Sequence, residues 1–292
     1  FMEIADKSIL IRRKMALGDV ILITPIIKKI KEILPKSSVS VSTDIHDVLK
    51  NNPYVDFILP TNTPLLGYDK VYNLDLVYER NPSEHIITSY AKFVFGEDIE
   101  EKSTQIYPLQ SDEDIIEKQL KDFGIFNNNF IVFHMGVTAR NRTWAKENWS
   151  KLIQNLTHTG CPIIIIGKNS DFFISGLNVF NLINKLSVQQ VHCLIKRSKC
   201  FVGNDSGMLH VAGTTETPIV GIFTSAMGEY RMPYRQGVFC HNAKIVKPDL
   251  DCYGCLEKEI PPVECCGCRR GDYACVLNIT PENVYNAIVS FL

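Results

Sequence analysis

"FVGNDSGMLHVAGTTETPIVGIF", residues 201–223, decides the fold. An apolar run ends in the polar knot Gly203-Asn204-Asp205-Ser206-Gly207, a helix opens at Ser206, and a second apolar run begins at Pro218. This is a β-α-β passage, with the knot at the point where a strand hands over to a helix. Open α/β sheets bind ligands there, because helix N-termini present unpaired N–H groups and a partial positive charge. Asp205 or Ser206 is placed to cap the helix, Gly203 and Gly207 let backbone approach a ligand closely, and the amides of Ser206 to Met208 suit a phosphate. His210, one turn further, is placed to donate to a second phosphate.

The same alternation continues on both sides. "SILIRRK" is a short apolar run, and "DVILITPIIKKIKEILPK" carries Ile23, Ile26, Ile27, Ile30 and Ile33 at helical spacing. "SVSVSTD" alternates in strand fashion, "DVLKNNPYVDFILP" reads as a short helix and a strand, and "KVYNLDL" as one more strand. A polar, less patterned stretch over roughly 96–128 precedes a restart at "FIVFHMGV", followed by helix "KENWSKLIQNLTHTG" and strand "CPIIIIGK". The expected fold class is α/β, with two Rossmann-like domains whose parallel sheets face each other across a cleft. The boundaries fall at 1–127 and 128–280, with a final helix, 281–292, packing back toward the first domain.

Composition excludes several classes. The chain has 292 residues, 45% hydrophobic and 22% charged, which suits two globular domains with real cores. A formal net charge of -1 provides no global field to gather nucleic acid or an anionic membrane. No apolar run approaches the roughly 20 residues that span a bilayer, and "FMEIADKSILIRRK" lacks a signal peptide's apolar segment. The chain therefore reads as cytoplasmic, with at most peripheral contact at the inner membrane. No G-x-G-x-x-G follows the first strand, which argues against a dinucleotide-dependent epimerase or dehydrogenase.

Two further patterns share the ligand edge. In "RRKMALGDVILITP" a strand ends in basic residues and reaches Gly18-Asp19 at a helix start. A short acidic residue there is ordinarily a cap, yet Asp19 stands at its sheet's ligand edge as Asp205 does in the other domain. "HMGVTARNRTWAKENW" places Arg140 and Arg142 beside Trp144 in a loop after a strand, and one or both would complete a diphosphate clamp. In "IIIIGKNSD", residues 163–171, Lys168 or Asp171 follows a strand and is a further candidate for the donor side.

These three blocks, "ILIRRKMALGDVILITPIIKKIKEILP", "MGVTARNRTWAKENWSKLI" and "FVGNDSGMLHVAGTTETPIVGIF", resemble in order the glycosyltransferase family 9 proteins typified by ADP-heptose:lipopolysaccharide heptosyltransferases. The resemblance implies a GT-B fold, a nucleotide-sugar donor held mainly by the second domain, and inverting transfer without a catalytic metal. By position Asp19 matches the acidic residue proposed as general base. Asp205, Ser206, Gly207 and His210 match the donor-binding D-[ST]-G-x-x-H motif. Arg142 stands where many members have lysine, and Ala145 where proline commonly follows the tryptophan. The implied acceptor is a bacterial surface glycan such as lipopolysaccharide core, or a protein. A non-catalytic, metal-stabilised nucleotide-sugar-binding protein of the same fold is the competing reading.

Six of the ten cysteines lie in "CYGCLEKEIPPVECCGCRRGDYAC", residues 252–275. In a reducing compartment such a set holds metal more readily than disulfides, and C-x2-C with two further thiolates suits tetrahedral zinc or iron. Cys252, Cys255, Cys268 and Cys275 are the expected ligands, with Cys265 or Cys266 as substitutes. Four thiolates leave no open position, so the role would be structural. "CRRGDYACVLNITPENV" is also similar to the Cys-rich block of family relatives, one branch of which carries iron in such a loop.

Overall fold

The computed structural model describes residues 7–127, 129–136, 139–168, 174–235, 238–239, 242–258 and 267–292. Its strands are β1 (Ser8–Arg12), β2 (Ser38–Ser42), β3 (Phe57–Leu59), β4 (Lys70–Asn73), β5 (Ile131–His134), β6 (Ile163–Ile166), β7 (Val179–Asn181), β8 (Cys200–Asn204), β9 (Ile219–Ile222), β10 (Tyr234–Arg235), β11 (Val238–Phe239) and β12 (Ala243–Val246). The helices are α1 (Leu17–Leu22), α2 (Thr24–Ile33), α3 (Ile86–Phe95), α4 (Gln110–Asp122), α5 (Lys146–Leu156), α6 (Val188–Lys196), α7 (Gly207–Gly213), α8 (Gly228–Arg231), α9 (Cys255–Lys258), α10 (Ala274–Asn278) and α11 (Pro281–Val289).

Two parallel sheets result, as the alternation of patterns predicts. The first has the order β3-β2-β1-β4 and the second β12-β9-β8-β5-β6-β7, while β10 and β11 form a separate antiparallel pair. In the first sheet Ser8–Arg12 runs in register with Ser38–Ser42 on one side, and Ile9–Arg12 with Lys70–Asn73 on the other. The chain order therefore reverses beside β1. In the second sheet it reverses between β5 and β8, which pair from Ile131↔Cys200 to His134↔Gly203. Loops diverge at such reversals and leave a crevice above the strand ends. Strands β5, β6, β8 and β9 are buried along their whole length, as continuous apolar runs in a sheet covered on both faces should be.

Local sequence explains most elements. Ser187 caps α6, accepting from the Gln190 amide while Gln190 reaches back to the Ser187 amide. The apolar pattern over 17–33 divides into α1 and α2 at Ile23, ahead of Pro25; Ile23, Ile26, Ile27 and Ile30 are buried, but Ile33, at the exposed end, is not. The polar stretch near 96–128 contains α4, which buries Ile116 and Leu120. Glu113 of α4 meets Lys196 and Arg197 at the end of α6.

One expectation is corrected. The final helix α11 does not turn back toward the first sheet. Its buried face, Val284, Ala287 and Ile288, belongs to the core that contains Trp149, Val220 and Ile222. Trp144 anchors the segment before it, donating from Nε1 to the Ile279 carbonyl at 2.8 Å. A buried indole N–H needs an acceptor, and this one is supplied one residue before α11's own cap, Thr280.

Candidate active site

At the end of β1, Arg13 is buried and reaches three acceptors. Its Nη2 donates to Asp19 Oδ2 at 2.5 Å and to Glu79 Oε1 at 2.6 Å, and its Nη1 to the Leu74 carbonyl at 3.2 Å. Asp19 also accepts a long bond, 3.5 Å, from the Ala16 amide, so the carboxylate is fixed from two sides of the α1 start. Its side chain remains 25% exposed. Both bonds fall on Oδ2, and Oδ1 takes none among the described residues.

At the end of β8 the arrangement differs. Neither Asp205 nor Ser206 caps α7 through its side chain, contrary to the capping expectation. Ser206 Oγ lies 3.1 Å from His134 Nδ1 at the end of β5, and the Asp205 carboxylate turns to two arginines. Arg142 Nη1 donates to Asp205 Oδ2 at 3.2 Å, and Arg231 Nη1 stands 3.7 Å from the same oxygen. Burial pushes the Asp205 carboxyl up, but Arg231, Arg142 and His210 outweigh it and hold the group below the usual carboxylate range. Asn204 fixes the turn beneath by donating to the Met135 carbonyl at 2.7 Å and accepting from the Trp144 amide at 3.3 Å.

The two edges touch. A Cβ built on Gly18 would fall 2.4 Å from His210 Cδ2, and one on Gly207 would fall 2.8 Å from Leu17 Cβ, so α1 and α7 pack start to start through glycines. His210 therefore lies between Asp19 and Asp205. Burial holds its imidazole below its usual value despite both carboxylates, so it is neutral near pH 7. Its Nδ1, Arg142 Nε and Ser225 Oγ are buried without a hydrogen-bond partner among the described residues. Polar atoms left in this way around a cleft are the places a ligand satisfies.

Of the residues singled out in the sequence, Asp19, Arg142, Asp205, Ser206, Gly207, Met208 and His210 come together here. Arg140 does not join the clamp: its guanidinium stacks 4.2 Å from the Tyr273 ring of the Cys-rich segment. Lys168 follows β6 and is exposed on the same side of the sheet; Asp171 lies outside the described residues. Arg13, Glu79, His134, Tyr78, Arg231 and Glu257 had no assigned role. Only Arg13 left a trace, in the basic residues that close β1.

The Cys-rich segment docks against this site. Asn141 donates to the Gly267 carbonyl at 3.1 Å, and the Leu256 amide to the Ser225 carbonyl at 3.3 Å. The sulfur donors suit zinc or iron, and they are near enough to act on one another: burial, then Cys255, Cys268 and Cys252, push the Cys275 thiol up to about 11. Among the described residues no group of three His, Cys, Asp or Glu side chains is placed to hold a metal ion; Cys252 Sγ lies 3.9 Å from Arg270 Nη1 and Cys255 Sγ 3.9 Å from the Ser225 carbonyl. Cys265 and Cys266 lie outside the described residues.

Comparison with known proteins agrees with this fold. Lipopolysaccharide heptosyltransferase 2 of Salmonella typhimurium is 22% identical over 162 residues, 52% of this chain and 43% of that protein, so the match spans less than half of the relative's length. A family 9 glycosyltransferase from Veillonella parvula matches in structure with a TM-score of 0.79 at 17% identity, covering 98% of this chain and 97% of the other. TibC of enterotoxigenic E. coli, an iron-containing dodecameric glycosyltransferase also solved with ADP-D-β-D-heptose, matches with a TM-score of 0.75 at 16% identity, covering 98% and 78%. The fold is thus the GT-B arrangement of two facing parallel sheets. Among the described residues no helix is long and apolar enough to cross a membrane. The model of glycosyltransferase family 9 (heptosyltransferase) matches residues 70–261, and the chain belongs to that family.

Proposed function

We propose that this chain is an inverting glycosyltransferase that moves a sugar, heptose from ADP-heptose in the first instance, onto a hydroxyl of a bacterial surface glycan. The observation that carries the reading is the meeting of two unlike edges: the partly exposed Asp19 carboxylate on one side, and Arg142, Asp205 and His210 on the other, joined where Gly18 abuts His210. The donor sits against the second edge and the acceptor enters from the first. A carboxylate within reach of the acceptor hydroxyl takes its proton as the oxygen attacks the anomeric carbon. The bond from that carbon to the diphosphate oxygen breaks, its electron pair leaves on phosphate, and a single displacement inverts the anomeric centre. Arg13 holds Asp19 through Oδ2, so Oδ1 is the oxygen that accepts the proton. Arg142, neutral His210 and the amides opening α7 meet the charge on the leaving diphosphate.

We assign the four thiols a structural zinc or iron, because a C-x2-C pair and two further cysteines share the segment docked beside the donor edge and a structural neighbour, TibC, is named for its iron. Cys252, Cys255, Cys268 and Cys275 would hold it, and it would order the segment without taking part in transfer. The same fold without turnover, or with a protein as acceptor, is separated by experiment. Purified protein is incubated with a panel of nucleotide sugars and acceptors, and products are read by mass spectrometry. Asp19→Ala should lower transfer by about 10²- to 10⁴-fold with donor affinity retained. Full transfer by that variant overturns the assignment of the base, and no transfer by the unaltered protein to any acceptor favours the binding protein.

A further inference from the structure

Helix α8 is a single turn, too short to hold itself, and both its ends are fastened by the Cys-rich segment. At the start, Glu257 Oε2 accepts from the Met227 amide at 3.0 Å, and the Tyr253 hydroxyl oxygen accepts from the Gly228 amide at 2.7 Å. At the finish, Arg231 Nε donates to Glu257 Oε1 at 2.9 Å. One buried carboxylate, 1% exposed, therefore sets both the position of the turn and the direction of the arginine that closes it. Gly254 makes the approach possible, with φ at +77° and a hypothetical Cβ 2.4 Å from Met227. From the first half of the chain, Tyr78 donates to the same Glu257 oxygen at 3.4 Å and lays its ring 5.6 Å from the Arg231 guanidinium.

Arg231 is aimed at the donor edge. Its Nη1 and the Nη1 of Arg142 face the same oxygen of Asp205, at 3.7 and 3.2 Å. At 3.7 Å the contact is one of charge and not a hydrogen bond, so the outer N–H groups of Arg231 keep their donor capacity. The side chain is 19% exposed, and Arg142 Nε, on the other guanidinium facing Asp205, has no partner among the described residues. Two guanidiniums converging on one carboxylate oxygen, with N–H groups left over, form a cradle whose complement is a polyanion with several oxygens.

We propose that Arg231 is a second cation for the diphosphate of the donor, beside Arg142, and that Glu257 is the positioning residue that aims it. This rests on the donor site described above. It makes the Cys-rich segment part of the site's construction, since α9 delivers Glu257. It also gives Tyr78 a use: the aim of Arg231 is completed only when the first half of the chain stands against the second.

The test is calorimetric titration of the full chain with ADP, UDP and GDP, and with the parent nucleosides. Arg231→Ala should weaken the best-bound diphosphate by roughly tenfold to hundredfold, the range of a charged hydrogen bond, and leave the nucleoside unchanged. Equal loss for nucleoside and diphosphate, or no loss, overturns the role of Arg231. Glu257→Gln separates aiming from charge. It makes the site more positive by one, so simple charge summation predicts tighter binding, whereas loss of aim predicts weaker binding of the diphosphate alone. We expect several-fold weaker binding, and tighter or unchanged binding overturns the role of Glu257. Melting curves establish that each variant is folded; should Arg231→Ala not fold, Arg231→Lys, which keeps the charge but cannot hold the Nε bond, carries the first arm with a several-fold loss expected. An unaltered protein that binds none of the diphosphates overturns the donor site itself, and a diphosphate bound with Arg142→Ala weakened and Arg231→Ala unaffected overturns this inference alone.

Discussion

At the edge of the first sheet, Asp19 keeps a quarter of its side chain exposed and answers to one guanidinium, that of Arg13. At the edge of the second, Asp205 is 3% exposed beneath two, Arg142 and Arg231. Both follow a strand and precede a helix, and both lie at a reversal of strand order, yet their surroundings suit opposite tasks. A carboxylate with one oxygen accessible can accept a proton. A carboxylate buried under two arginines cannot take one up cheaply, and instead orders the cations that meet an anion. Under the proposed function, similar sequence contexts, Gly-Asp and Asn-Asp at helix starts, supply a chemical group on one side and an organising group on the other.

The largest expected contrast is between the two alanine variants in urea unfolding. Asp205→Ala should destabilise the chain by about 3 kcal/mol, the lower end for breaking a buried pair, because the two arginines it abandons keep some access to water. Asp19→Ala should stay within about 1 kcal/mol of the parent, since Arg13 keeps Glu79 and the Leu74 carbonyl. Equal destabilisation by the two would remove the distinction between the edges.

The alternation of apolar runs was enough to give two parallel sheets, because covered strands must be apolar throughout and each is bounded by a helix of different period. The knot at 203–207 and Gly18-Asp19 were legible for a similar reason, since short polar residues and glycines between apolar elements have few structural uses. The other half of the donor edge was not. Arg231 lies in "GEYRMPYR" and Glu257 in "CLEKE", where arginine and glutamate ordinarily denote solvated loop, and their partnership exists only because the chain returns after 26 residues. The polar helix α4 escaped notice because it buries only Ile116 and Leu120, too few for a clear period. The capping box of α6, Ser187 with Gln190, is legible in the sequence as S-x-x-Q before an apolar run. The face of α11 was legible as apolar, but amphipathicity says that a face is buried and not which neighbour covers it.

A second contrast concerns acid. The first edge contributes Arg13, Asp19 and Glu79, whereas the second contributes His134 and His210, the latter reaching across to Gly18 of the first. Burial pushes His134 down to about 4, and His192 to about 4. His85 is pushed down to about 3; its Nδ1 accepts from the Ile87 amide and its Nε2 lies 2.9 Å from the Met232 carbonyl, which fixes the neutral tautomer. Each has a lower proton affinity folded than unfolded. Between about pH 6.5 and these values the unfolded chain binds protons that the folded chain does not, so stability is complete above about 6.5 and falls as pH drops. At pH 5 each contributes a loss of about 2 kcal/mol. Urea unfolding from pH 8 to 5 should show this slope, and His134→Gln should remove about one proton's share of it. A flat profile, or one that steepens only below pH 4, where carboxylates titrate, would locate the acid response elsewhere.

The smallest effect expected is on the thiols, and it bears on why the second edge needs so much support. Four thiolates repel one another unless a cation lies among them, while four thiols leave little apolar material to order a segment of more than twenty residues. The segment presses Tyr253 and Glu257 against α8, and Tyr273 against Arg140. Protein purified without chelator should therefore contain about one zinc or iron per chain by elemental analysis. Stripping the metal, or Cys252→Ser, should lower the melting temperature by at least about 3 °C, the shift that about 1 kcal/mol produces in a chain of this size. It should also speed amide exchange at Met227 and Gly228, whose partners the segment supplies, while leaving the amides around Asp19 as they were. Asp19→Ala should do the reverse, lowering transfer without moving the melting temperature or the α8 amides. Metal-free protein as isolated, with a melting temperature that Cys252→Ser does not move, would mean that the thiols stay reduced and that Glu257, Tyr253 and their acceptor bonds hold the second edge without an ion.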